Sequence, residues 1–329
     1  MNFETSFELH RLQPGLVVSR FRNLLFPVVL LGVALVQTGL ASEDVPHRPF
    51  AQWADVPEQG QLVAGLVYEE SEAYHIWAGG RVRNVTFNAS DGERYGIDIN
   101  QGYLALQYGI TERWAADFNA GATTAGWRYF DNGGVQSTTG IMDWSFGVRY
   151  QLFNEARAQS PWIPTLTFRA GAVMPGSYNQ NFAFAPGVRS AAIEPELLVR
   201  KHFGWTGLGL LGDALYRWNR TTANDQYITS IGLFQKIKGW ELDVAYRHLQ
   251  TLSGGDIILF PDNSIYYPRA VRENNDSIEA GFSYTTSKRH IRYGFYTRTV
   301  VDGSNTDSKF WIGGSIDVPF DLPFLRRQQ

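Results

Sequence analysis

IMDWSFGVRYQLF, the stretch Ile141–Phe153, alternates from end to end. Met142, Trp144, Phe146, Val148, Tyr150 and Leu152 fall on one face, and Asp143, Ser145, Gly147, Arg149 and Gln151 on the other. Period-2 alternation over thirteen residues predicts a long β-strand with one apolar and one polar face. In a soluble sandwich the polar face would meet water. In a membrane barrel the apolar face meets lipid and the polar face the lumen. One strand cannot decide between these, so the decision rests on repetition, turns and leader.

The leader favours export. Arg20 and Arg22 precede the apolar run Leu24–Val36, and Gln37–Ala41 ends small-x-small at Gly39 and Ala41. This is the plan of a secretory signal, and cleavage is expected after Ala41. The run is short for a spanning helix, and no later window offers one. Ser42–Gly60 is acidic, holds three prolines and lacks periodicity, so it reads as a periplasmic lead-in.

From Gln61 the alternation recurs. Leu62, Ala64, Leu66 and Tyr68 share a face. So do Trp114, Ala116, Phe118 and Ala120, then Ile193, Leu197 and Val199, then Trp240, Leu242, Val244 and Tyr246. Ile278, Ala280, Phe282 and Tyr284 repeat the pattern, as do Phe310, Ile312, Ile316, Val318 and Phe320. In Gly96–Ile110 the apolar phase slips between Ile99 and Leu104, which predicts a bulge near Gln101–Gly102. The expected fold is an all-β, closed antiparallel transmembrane barrel over residues 61–320. It has 12 strands, or 14 if a hairpin at Tyr74–Phe87 joins the sheet, and residues 321–329 form a tail.

Connections sort by length. Thr111–Arg113, Asn154–Pro161, Gly204–Thr206, Lys238–Gly239 and Thr286–Arg289 read as short. Glu69–Tyr95, Trp127–Gly140, Pro175–Val188, Arg220–Gln226, Thr251–Asn275 and Asp302–Asp307 read as long. Alternating short and long loops are the mark of outer-membrane barrels, and an even strand count puts both termini on the short-turn side. Trp114, Trp162, Trp205 and Trp240 cluster at the short turns, with Phe203 and Phe320 at their level. Trp144 and Trp218 lie near the other rim, so two aromatic girdles are expected.

The polar faces carry full charges. Arg149, Arg169, Arg200, Arg217, Arg247, Arg292 and Arg298 stand against Asp117, Asp143, Glu194, Glu196, Asp213, Glu241, Asp243, Glu279 and Asp317. Inside a barrel such groups must pair or stay wet. They form either a salt-bridge filling or a selectivity constriction, and the expected pore-lining set excludes only Asp117, Asp143, Glu194 and Asp317. Thr251–Asn275, apolar at Ile257–Phe260 and Tyr266–Tyr267, is a candidate gate.

Other classes find little support. The formal net charge of −3 over 329 residues and the absence of a basic run give no footing for nucleic acid. Without cysteine there is no disulfide, thiolate metal site or lipoprotein anchor. Outer-membrane lipid hydrolases carry His-x-Ser on a strand; here His47, His75, His202, His248 and His290 are each followed two residues on by something other than serine. No metal-ligand or phosphate-loop spacing appears, so neither catalysis nor a cofactor is expected.

Tyr108-Gly-Ile-Thr-Glu-Arg-Trp114 resembles the turn signature of outer-membrane proteins named for the meta pathway of phenol degradation. The lead-in, first strands and closing strand are similar over essentially the whole mature chain. The resemblance implies an outer-membrane transporter of aromatic or hydrophobic compounds and assigns no binding residues. Gly314-x-Ile316-x-Val318-x-Phe320 is also similar to the closing signal read by the barrel-assembly machinery, except that Asp321–Gln329 follows it. The expected partners are therefore outer-membrane lipid, that machinery and a small-molecule solute. The rival reading is a non-conducting structural or surface-interaction barrel.

Overall fold

The computed structural model describes residues 54–322, apart from 86, 89–93, 130–133, 180–184, 186, 188, 205, 221–222, 260–264 and 267–270. The expected signal and most of the tail lie outside the described residues. Twelve strands close a barrel: β1 (Gln61–Ala78), β2 (Ile97–Gly109), β3 (Trp114–Tyr129), β4 (Trp144–Phe153), β5 (Thr165–Met174) and β6 (Ala192–His202). The second half is β7 (Leu208–Asn219), β8 (Gln226–Ile237), β9 (Trp240–Thr251), β10 (Asn274–Thr285), β11 (Arg292–Ser304) and β12 (Thr306–Asp321). Each strand pairs antiparallel with its neighbours in sequence, and β1 meets β12 from Gln61↔Asp321 to Trp77↔Thr306. Closure satisfies every edge, the condition for β-structure in a bilayer.

The alternation sets inside from outside. On β4, Phe146 and Val148 are exposed while Ser145, Gly147, Arg149 and Gln151 are buried. Leu66, Leu104, Phe168, Leu197, Leu242, Ile278 and Ile316 continue the outer belt around the ring. Such a belt has a solvent only in lipid, so the protein is an outer-membrane barrel. Trp114, Trp162 and Trp240 are exposed at the short-turn end and Trp218 at the other, as the girdles require. Trp205 falls outside the described residues.

Several expectations are corrected. Ile141–Phe153 is not one strand: the ladder breaks at Met142–Asp143, and Gly134–Ile141 continues up β3 as a separate segment. Met142 turns inward and is buried, while the Asp143 carboxylate accepts hydrogen bonds from Gly176 N (2.6 Å), Tyr178 Oη (2.8 Å) and Arg189 N (3.0 Å). The break exists to tie down the connection after β5. Residues 69–78, expected in a loop, extend β1, which turns at Gly79–Gly80 and returns as Arg81–Asn84. The hairpin expected at 74–87 therefore forms above the ring and leaves the count at twelve. Residues 127–129 and 134–140, also expected in a loop, are strand.

The bulge expected at Gln101–Gly102 is absent, because β2 runs in continuous register against both neighbours there. Ile97, Ile99 and Tyr103 face inward and Leu104 outward, so the slip in phase marks an apolar patch inside the barrel. Loop sorting is also looser than expected. Asn305 alone joins β11 to β12, whereas the connection after β4 takes 154–164. Asn305 adopts φ 56°, a left-handed turn that Asn tolerates. Its Oδ1 accepts from Gly79 N (2.8 Å) and Ile257 N (2.9 Å), and its Nδ2 donates to Asp256 Oδ1 (2.9 Å) and Arg272 O (2.8 Å). One side chain thus replaces a loop by binding two others.

Candidate functional site: the barrel interior

One wall carries a continuous ionic knot. β4 and β5 place Arg149 directly opposite Arg169, an arrangement that repels unless an anion stands between. Asp117 of β3 is that anion. It accepts from Arg149 Nε at 3.1 Å and from Arg169 Nε and Nη2 at 2.8–3.0 Å. Arg169 Nη1 reaches on to Glu194 (3.3 Å) and Glu196 (3.6 Å) of β6, and Glu194 accepts from Arg217 Nε of β7 at 2.8 Å. Arg169 is wholly buried, so this pairing is what makes its charge tolerable. Glycines open the space: a Cβ on Gly147 would stand 2.8 Å from Arg169 Nε, and one on Gly171 2.2 Å from Nη1. The planar fork lies flat against bare backbone.

The wall from β9 to β12 is built otherwise. Glu241 meets Lys236 at 3.2 Å and Arg292 only at 3.6 Å, while Arg292 Nε donates to Ser283 Oγ at 3.0 Å. Asp243 lies against Gly281 and Asp317 against Gly65, where added Cβ atoms would come within 2.7 and 2.5 Å of their carboxylates. Asp243 Oδ1 and Asp317 Oδ2 accept no hydrogen bond from the described residues, although Asp317 is 4 % exposed. A buried carboxylate oxygen without a protein donor is satisfied by water, by a cation or by taking up a proton.

Toward the long-loop end the interior turns apolar. Ile76, Ile97, Ile99, Trp127 and Trp311 cluster there, and Ala185 of the connection after β5 packs on them from within. Below, Val67, Tyr103, Met142 and Tyr296 form a second layer, and the Tyr296 hydroxyl is bonded to Glu69. Leu215, Ile228 and Leu249 add apolar surface across β7–β9. Arg298 rests its guanidinium 5.2 Å from the Trp311 ring centre.

The sequence-predicted set divides accordingly. Arg149, Arg169, Glu196 and Arg217 join in the knot. Glu241 and Arg292 meet on the other wall with Asp243 nearby, and Glu279 and Arg298, buried, face each other in register across β10 and β11. Asp213 and Arg247 are half-buried on the inward phase of β7 and β9. Arg200 stands apart, near the short turns, where it pairs with Asp55 and lies 3.6 Å from Glu155. Burial alone would raise the Glu155 carboxyl. The His202 N–H (2.9 Å), the His202 ring and the Lys201 ammonium (3.1 Å) outweigh it and hold the group down at about 2. Asp143 stands outside the charged rows, as a loop anchor.

Sequence reading missed the inward aromatics Trp77, Trp127, Tyr103, Tyr296 and Trp311. Trp311 sits in phase with Lys309 and Asp317, a signal that was present. Of the connection after β5, the described Tyr178 is fully buried and Ala185 packs on the inner apolar cluster, whereas Thr251–Asn275 was the expected gate. Of that second loop, Ile257 is buried and Ile258–Leu259 pairs with Ile265–Tyr266.

A scan of protein families and a search of curated proteins returned no match. Solved structures do match. The chain is similar to an outer membrane channel from Pseudomonas putida F1 at 15% identity and TM-score 0.61, covering 84% of this chain and all of that one. It also aligns with the translocator domain of the autotransporter NalP from Neisseria meningitidis (13% identity, TM-score 0.44, 82% and 92% covered). The toluene transporter TodX of P. putida aligns at 9% identity and TM-score 0.39, with 82% and 92% covered. At 15% identity the likeness to the first of these shows the fold alone, a closed outer-membrane barrel.

Proposed function

We propose that the protein is a passive outer-membrane channel for small apolar or aromatic solutes. The observation that carries this reading is the apolar, aromatic cluster of Ile76, Ile97, Ile99, Trp127 and Trp311 on the inner surface toward the long loops, beside the buried Lys309–Asp307 pair. Paired charges alone would fill a merely structural barrel, whereas an apolar, aromatic lining near the long loops suits an apolar solute. An apolar solute entering from outside would exchange water for Ile97, Ile99, Trp127 and Trp311, a gain of about 25 cal/mol per Å² covered. The residues expected to line its path are Glu241, Asp243, Glu279, Arg292 and Arg298, because on their wall Asp243 and Asp317 each leave one buried oxygen without a donor among the described residues, a place for water. Arg149, Arg169, Glu196 and Arg217 hold the barrel's shape instead. The turn signature Tyr108–Trp114 and the channel of similar fold support the same class of activity.

The rival, a non-conducting structural barrel, has its own support: the knot is closely paired, and Tyr178 and Ala185 of the connection after β5 are packed inward. Block of single-channel current separates the two. Small phenolic or aromatic solutes are expected to block in a concentration-dependent way, sugars of equal mass are not, and Trp127→Ala is expected to raise the half-blocking concentration about tenfold. A folded, inserted barrel that never conducts supports the rival.

A further inference from the structure

We propose that residues 54–60 are a removable strap that shuts the short-turn end of the barrel, swinging out about Gly60; the inference rests on the channel reading above. Only the part of the lead-in nearest the barrel is described, and it does not trail away. Ala54 is fully buried. Its carbonyl accepts from Gln151 Nε2 of β4 (3.3 Å) and Thr167 Oγ1 of β5 (2.5 Å). The Asp55 carbonyl accepts from Gln107 Nε2 of β2 (3.3 Å), and the Asp55 carboxylate pairs with Arg200 of β6. Grips from β2 on one side and β4–β6 on the other carry the segment across the mouth.

The grips suit a part that leaves. Residues 54–60 enter none of the described strand pairings, so the ladder Gln61↔Asp321 closes the barrel without them. The strap is held mainly by lumen side chains that water can satisfy in its absence, and the Asp55 side chain is 41 % exposed. Beneath it lie Gln151, Thr165 and Thr167, all buried and all polar. A permanent floor favours apolar contacts there, whereas a polar lining suits intermittent wetting. The pivot is Gly60, at φ 79°, whose N–H donates to Gly109 O at 2.8 Å. Gly109 is equally constrained, because a Cβ there would stand 2.1 Å from the Glu58 carbonyl and 2.5 Å from that of Pro57.

The chain has no cysteine, so a single introduced thiol reports cleanly. Thr165→Cys, at a residue with no bond to the strap, and, separately, Thr167→Cys would be placed beneath the strap of the full barrel in vesicles. Each is treated with a charged, membrane-impermeant thiol reagent from the short-turn side, with Ala156→Cys in the exposed turn as reference. Heat-shifted gel mobility verifies folding. Both reporters are expected to label more slowly than the reference, and Asp55→Asn is expected to speed them about fivefold without changing Ala156→Cys. Reporters that stay unlabelled in both backgrounds would make the segment a fixed floor and overturn the proposal. Reporters that label as fast as the reference regardless of Asp55 would overturn it too. A strap that moves in a barrel that never conducts would sink the channel reading alone.

Discussion

The two walls of the interior solve one problem in opposite ways. From β3 to β7, Asp117, Arg149, Arg169, Glu194 and Arg217 form an unbroken chain of contacts of 3.3 Å or less, on glycines that make room for it. From β9 to β12 the charges are as numerous, yet Asp243 and Asp317 each leave an oxygen without a donor among the described residues. Charge in a barrel is thus no single property. A chain that ties several strands together is architecture, while a carboxylate oxygen without a protein donor is a place for something mobile. The second wall is where water would accompany a solute that enters past the apolar cluster near the long loops.

The largest test of this contrast removes the hub of the knot. Arg169→Ala cuts the knot in two, leaving Asp117 to Arg149 alone and Glu194 to Arg217 alone, and is expected to cost about 3–5 kcal/mol, read from urea unfolding of the barrel in lipid vesicles. Asp317→Asn, on the other wall, is expected to change stability by less than about 1 kcal/mol in the same assay. If both mutations cost the same, the distinction between walls fails. Gly171→Ala sharpens it: the added methyl must displace the buried Arg169 fork, at a cost of about 1–3 kcal/mol, although no charge is altered.

A smaller effect is set by pH at the foot of the first wall. Glu155 is held at about 2 by His202 and Lys201, below its ordinary 4.5. Its contribution to stability is fully present above the ordinary value and is lost as pH falls through about 2. Carboxyl NMR titration is therefore expected to find Glu155 ionised at pH 3.5, and Glu155→Gln is expected to flatten part of the acid dependence between 4.5 and 2.

Much of this was legible in the chain. Strand number, closure and the outer face follow from alternation, because lipid imposes one rule on every outward residue. The inner face obeys no such rule. Ile97 and Ile99 face inward, so their phase mimicked a bulge, and Glu70 and Glu72 on the outward phase, with a register shift between Ala73 and His75, hid the rest of β1. The break at Met142–Asp143 was invisible because Asp143 fits the polar phase of β4 while serving Gly176, Tyr178 and Arg189, far along the chain. The charged set was found residue by residue, but its division into knot and open wall depends on which glycines lie beneath which carboxylates and guanidinium groups. Spacing does not encode that. Neither does the unpatterned lead-in show that Ala54 and Asp55 reach β4, β5 and β6.

The most direct measurement is the reversal potential of single channels under a salt gradient, for the mature protein and for Asp243→Asn with Asp317→Asn. If water and solute follow the β9–β12 wall, the unaltered protein opens discretely with a preference for cations, and the double substitution shifts the reversal potential toward zero while the barrel stays folded. Openings whose reversal potential does not move, or none from an inserted and folded barrel, would contradict the account.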